Sequence, residues 1–173
     1  MACNYYYNSN AVPPEAQTVD KNWVAIYGGI DPATSTPEQL AAAGFYCFEQ
    51  TPAPQVNYQI YYLESQYVTE GTNAKTDFTV VALPLADSKA TYTSEVKAKA
   101  YSILQPTDWL VVRQVENSAE IPTDWNTWRE DIRLESQNKV AAIDACEDAD
   151  ALDAYVSSEA YSFWPPEPTT PKL

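Results

Sequence analysis

At Pro84 the hydrophobic period of the chain changes, and that change restricts the fold more than any single motif. Before it, short aromatic and β-branched runs alternate with turn residues, the pattern of half-buried strands. After it, apolar residues recur at three- and four-residue steps, the pattern of amphipathic helices. A chain built in that order is expected to be α+β. The expected form is a small antiparallel β-rich domain over residues 1–83, then a helical hairpin or bundle over 84–160. A Pro-rich extended tail over 161–173 closes it.

The first part reads as strands closed by turns. Tyr5-Tyr6-Tyr7 and Trp23-Val24-Ala25-Ile26-Tyr27 are strand-like, the second stopped by Gly28-Gly29. Thr36 to Gly44 carries a short helix signature: Thr36 can cap, Pro37 suits the first helical position and Gly44 the exit. Phe45 to Glu49, Val56 to Leu63 and Thr76 to Val81 read as further strands, with a turn at Glu70-Gly71-Thr72-Asn73. Beyond Pro84, Leu85, Lys89, Tyr92, Val96, Ala100 and Ile103 form one stripe, and Pro106 ends that helix. Thr107 or Asp108 can cap a shorter segment through Arg113. A third helix starts near Pro122-Thr123-Asp124 with the stripe Trp125, Trp128, Ile132, Ser136, Val140 and Ile143. Acids from Glu147 to Asp150 suit the start of a short helix carrying Leu152, Tyr155 and Val156. The tail, Trp164 to Pro171, is a flexible end or an extended strap.

Composition narrows the chemistry. The chain has no His, which removes Ser-His-Asp and Cys-His machinery and every His-containing metal site. No enzyme is expected, and no cofactor. The net charge of −14 repels phosphate backbones and anionic membranes, so neither nucleic acid nor membrane is an expected partner. Cys3, Cys47 and Cys146 lie far apart without CxxC spacing, which favours free thiols in a reducing compartment. Residues 1–20 lack a basic start and an apolar run, so synthesis in a cytosol is expected.

Three patterns look chemical and read more simply as structure. Asp144, Glu147, Asp148, Asp150 and Asp153 lack the order of a calcium loop and scatter around a helix axis; a solvated helix end is expected, and no metal. The many carboxylates allow imagined glycosidase pairs but select none. Gly28-Gly29 sits in no phosphate-loop pattern and reads as a turn.

The aromatics say more, with 13 Tyr and 5 Trp against 4 Phe. Trp125 and Trp128 are three apart and share a face with Ile132, so core packing is the simplest assignment and an interface the alternative. Arg129 and Arg133 are four apart on a neighbouring face, where they can pair with Glu130 or Glu135, stack on a ring, or meet a partner. Tyr, Trp and Arg are the residue types favoured at binding hot spots. Trp109, Trp128, Trp164, Arg129 and Arg133 are the candidate partner-contact residues. Replacing either arginine is expected to weaken partner binding more than it lowers the melting temperature.

Four segments carry a family likeness: Leu83-Pro84-Leu85-Ala86-Asp87-Ser88-Lys89, Ile103 to Arg113, Ile121 to Arg133, and Trp164-Pro165. Together they resemble the C-terminal region of bacteriophage tail-fibre assembly proteins, in which an L-x-P-x-D-W turn and a W-x-x-[YW]-R-x-x-[IL]-R helix precede a W-P end. The likeness covers residues 80–168. It implies a non-enzymatic role, binding a phage tail fibre as assembly chaperone for the trimer. The alternative it leaves is a permanent virion component: a fibre cap, adaptor or decoration protein. It further implies work in the bacterial host cytoplasm, or on the virion tail for the alternative. A homo-oligomer, or symmetric seating on the trimeric fibre, is compatible with either.

Overall fold

The computed structural model describes residues 34–170 and the backbone of two strands, β1 (Tyr5–Asn8) and β2 (Glu15–Thr18). The expected strand at Trp23–Tyr27 and the turn at Gly28-Gly29 lie outside the described residues. The fold is α+β, with two compact units. One comprises Met1–Val56 with Leu63–Val81, the other Asn57–Tyr62 with Ala82–Leu173.

The first unit follows its local signals closely. Helix α1 (Pro37–Ala42) opens with a reciprocal capping box. Thr36 Oγ1 accepts from the Gln39 N–H at 3.3 Å, and Gln39 Oε1 accepts from the Thr36 N–H at 2.8 Å. It closes on Gly44 at φ 88°, the left-handed conformation that glycine adopts without a Cβ penalty. Strand β3 (Phe45–Glu49) follows, then β4 (Tyr61–Glu70) and β5 (Asn73–Ala82), joined at Gly71-Thr72 with Gly71 at φ 61°. The sheet order is β2-β1-β3-β5-β4.

The sheet is mixed, where an antiparallel one was expected. β1 pairs antiparallel with both β2 and β3, but β3 pairs parallel with β5, Cys47 opposite Asn73. A tight turn makes β4 and β5 antiparallel neighbours, and the hairpin adds to the sheet by its second strand. Strand lengths and alternation do not specify which strand of a hairpin goes inward. Cys47 is disulfide-bonded and Cys146 carries a free thiol, which corrects the expectation of three free thiols. Sheet pairing, not spacing along the chain, decides which cysteines can meet. The cysteines therefore do not argue for a reducing compartment.

The expected strand over Val56–Leu63 begins only at Tyr61. Asn57 intervenes: its Oδ1 accepts from the Gln59 N–H at 3.2 Å and its carbonyl from the N–H groups of Ile60 and Tyr61, closing a turn. Its amide donates to the Tyr92 hydroxyl at 2.8 Å and to Asp153 at 3.1 Å. That is why residues 57–62 belong with the helices.

In the helical unit, α2 (Leu85–Leu104) and α4 (Thr123–Ala145) run antiparallel, as Lys89 reaching the Asp144 carbonyl at one end and Arg129 the Leu104 carbonyl at the other require. Between them lie a short 3-10 turn (Gln105–Thr107) and α3 (Asp108–Asn117). Pro106 lacks the N–H that would continue α2. Ser118, at φ 54°, ends α3. Two short helices follow: α5 (Ala149–Val156), capped by Asp148, and α6 (Glu159–Ser162), capped by Ser158.

The apolar interior of this unit has two centres. Ile60, Tyr92, Val96, Ile143 and Leu152 form one; Ala100, Leu110, Trp125, Trp128 and Ile132 form the other. Trp164 packs against both. The stripe on α2 keeps Tyr92, Val96 and Ala100 as expected and differs at one position: Ser88, not Lys89, is buried, and its hydroxyl donates to the Gln59 carbonyl at 2.9 Å. Among the described residues no helix is long and apolar enough to cross a membrane.

Candidate interaction surfaces

The five candidate contact residues separate into two kinds. Arg129, Trp128 and Trp164 hold the helical unit together, whereas Trp109 and Arg133 face solvent.

Arg129 is 4% exposed. Its guanidinium donates to the Leu104 carbonyl at 3.1 Å, to Asp108 at 2.8 Å and to the Thr107 hydroxyl. Leu104 offers a C-terminal carbonyl at the end of α2, which also accepts from the Thr107 hydroxyl at 2.7 Å, and Asp108 sits in the first turn of α3; helix dipoles favour a cation and an anion there respectively. One arginine thus fastens the Pro106 break. This corrects its assignment as a partner contact: its donors are taken up within the fold, and the neighbouring Glu130 points to Asn126 instead. Arg133 remains exposed, with one contact to the Arg129 carbonyl at 3.3 Å.

Trp128 is likewise buried, which favours core packing, the simpler of its two assignments. Its ring stands edge-to-face against Trp125, centroids 5.6 Å apart. Both indoles donate to the C-terminal tail, Trp128 Nε1 to the Pro165 carbonyl and Trp125 Nε1 to the Thr170 carbonyl, each at 3.1 Å. The Thr170 hydroxyl meets Asp124. The tail is therefore a strap. Residues without an N–H of their own still offer carbonyls, and a buried indole needs an acceptor.

Lys139 is the residue the periodicity could not reveal, because it reads as a solvent position. It is 1% exposed. Its ammonium donates to the Ala160 carbonyl, pairs with Glu135 at 2.9 Å and lies 5.3 Å from the Trp164 ring centroid. A buried lysine needs all of these partners. Through them α4 grips α6 and the base of the strap.

The outward surface is α3. At about 100° per residue, Val111, Val115, Val112 and Trp109 fall on one side of the helix and Leu110 on the other. Leu110 is fully buried, while Trp109 is 44% and Val115 79% exposed. Val111 and Val112 are exposed too. Arg113 lays its guanidinium over the Trp109 ring, 5.0 Å from the centroid, and its buried Nε has no hydrogen-bond acceptor. Four apolar side chains in ten residues, turned outward on a strongly acidic chain, make a coherent exposed apolar patch.

Catalytic features are weak by comparison. The strongest shifts belong to phenols. Burial, reinforced by the Asp150 carboxylate that accepts its proton at 2.6 Å, holds the Tyr61 hydroxyl far above its ordinary value. Burial, then the charge of Glu95, pushes Tyr161 up to about 12. Both shifts keep the phenol protonated, the opposite of what a base needs. Among the described residues no group of His, Cys, Asp or Glu is placed to hold a metal. No protein-family model, no curated protein and no solved structure matches the chain.

Proposed function

We propose that this chain is a non-enzymatic bacteriophage protein that binds a tail fibre and assists the fibre in reaching its trimeric state. The observation that carries the reading is the exposed apolar face of α3, because it begins at Trp109 and so coincides with the Leu104-Gln105-Pro106-Thr107-Asp108-Trp109 motif of the family likeness. Intertwined fibres expose apolar edges while they fold, and unprotected edges aggregate. A patch of valines and a tryptophan can cover such an edge. The net charge of −14 keeps the resulting complex soluble.

Co-expression of the fibre protein with and without this chain tests the reading. A clear rise in soluble trimer with the chain is the expected result. Equal yields in both cultures would dismiss it. Mass spectrometry of purified particles then separates a chaperone, which leaves, from a fibre cap, adaptor or decoration protein, which stays in fixed stoichiometry.

A further inference from the structure

A groove runs between the first half of α4 and the strap, and no residue of α3 lines it among the described residues. Asp124, Trp128 and Asp131 line one wall, and Pro165, Pro166 and Pro168 the other. Asp124 and Asp131 are seven residues apart on one helix, a rise of about 10.5 Å along the axis. Asp124 already accepts from the Trp125 N–H at 3.1 Å and meets the Thr170 hydroxyl, and its exposed carboxylate keeps lone pairs for a further donor. Among the described residues no lysine or arginine lines the groove. Asp131 is exposed and makes no hydrogen bond or ion pair among the described residues.

We infer that this groove binds an extended, proline-containing peptide segment that carries two Lys or Arg residues three positions apart. Three features define that ligand. The proline wall has no N–H to offer, and the Trp128 indole N–H is already donated to the Pro165 carbonyl. A ligand that needs a hydrogen-bond ladder, such as a β-strand, finds none here. A polyproline II segment needs none, since its backbone makes no internal bonds and stays solvated. In that conformation residues i and i+3 share a face about 9.3 Å apart, which matches the two carboxylates within the reach of a lysine side chain. Finally, this face of α4 already packs against one proline-rich segment: the chain's own strap lies along the helix, with its prolines next to Trp128. The ligand would lie beside the strap, using it as a wall.

The inference does not depend on the tail-fibre reading, and its test needs no fibre. The full chain is titrated with the peptide Pro-Lys-Pro-Pro-Lys-Pro and binding is followed by calorimetry and tryptophan fluorescence. Saturable binding that weakens as salt is raised is expected. Asp131→Asn should lower the affinity about threefold to fivefold, the size of one exposed charge pair. Thr127→Arg, which sets a cation between the carboxylates, should abolish it, and circular dichroism confirms that both variants fold. The inference is overturned by no saturable binding, by equal binding of the peptide with Glu in place of Lys, or by equal binding when the two lysines are adjacent. Unchanged affinity in folded Asp131→Asn overturns it as well.

Discussion

Trp125 and Trp109 stand on neighbouring helices of one unit and have opposite surroundings. Trp125 is 1% exposed, edge-on to Trp128, with its indole N–H held by the strap. Trp109 is 44% exposed, and the Arg113 guanidinium lies over its ring. The difference does not lie in the residue. It lies in the neighbours on each helix: α4 brings Trp128 and Ile132 to the Trp125 face, whereas α3 buries Leu110 and turns the Trp109 side outward. A tryptophan held on every side serves stability; one left half bare leaves its ring open to solvent.

That contrast is broken most severely at its buried end. Trp125→Ala is expected to cost about 3–5 kcal/mol, the range for a large core truncation, read as a lowered midpoint in urea. A loss below about 1 kcal/mol would mean that the strap and Trp128 collapse into the space, and the buried class would lose its meaning.

Arg129→Ala comes next, at about 2–4 kcal/mol, because it leaves Asp108 without its cation and removes the donor that the Leu104 carbonyl and Thr107 hydroxyl share, so that these keep only the bond between them. This reverses the expectation drawn from sequence. If the variant instead keeps its melting temperature and loses partner binding, the arginine belongs with Trp109 after all. Arg133→Ala, on the exposed side, should leave stability within about 0.5 kcal/mol.

A smaller effect distinguishes the buried end by pH. Tyr161 stands edge-on to Tyr92 and Tyr155, at 6.0 and 5.7 Å. Burial raises all three phenols, and Tyr161 reaches about 12 from 10.0. A folded value above the unfolded one means that the folded state holds its proton longer. The contribution is then complete below pH 10 and is lost as pH climbs through about 12. Urea midpoints should fall across that interval, and Tyr161→Phe should flatten the fall. A midpoint independent of pH there would place these rings in water.

How much of this was legible follows the same division. Local signals carried the first helix, since Thr36, Pro37, Gln39 and Gly44 act within a few residues of one another. The period after Pro84 carried α2, α4 and the burial of Trp125 and Ile132. What the sequence withheld depends on distant partners. Lys139 is buried because Ala160 within α6 and Trp164 just past it return to it, and no periodicity encodes that return. Arg129 looked free for the same reason: its acceptors lie across the Pro106 break. Asn57 interrupts an otherwise good strand pattern because Tyr92 and Asp153 hold its amide. The valine face of α3 was visible as residues but not as a surface. Only the burial of Leu110 tells which side of the helix looks in.

That face gives the smallest effect on stability and the sharpest on contact. Val115 is 79% exposed and packs on little, so Val115→Asp should change stability by less than about 0.5 kcal/mol. It adds a charge beside Glu116 at the centre of the apolar patch, where desolvating an unpaired carboxylate against an apolar partner is costly. The expected outcome is an unchanged urea midpoint with loss of the gain in soluble fibre trimer on co-expression. Trp109→Ala should act in the same direction and also free Arg113 from its ring. Were Val115→Asp to unfold the chain, the valine face would be covered within the molecule; were it to leave fibre yield untouched in a chain that otherwise raises it, the adhesive surface would lie elsewhere, with Arg133 the next position to replace.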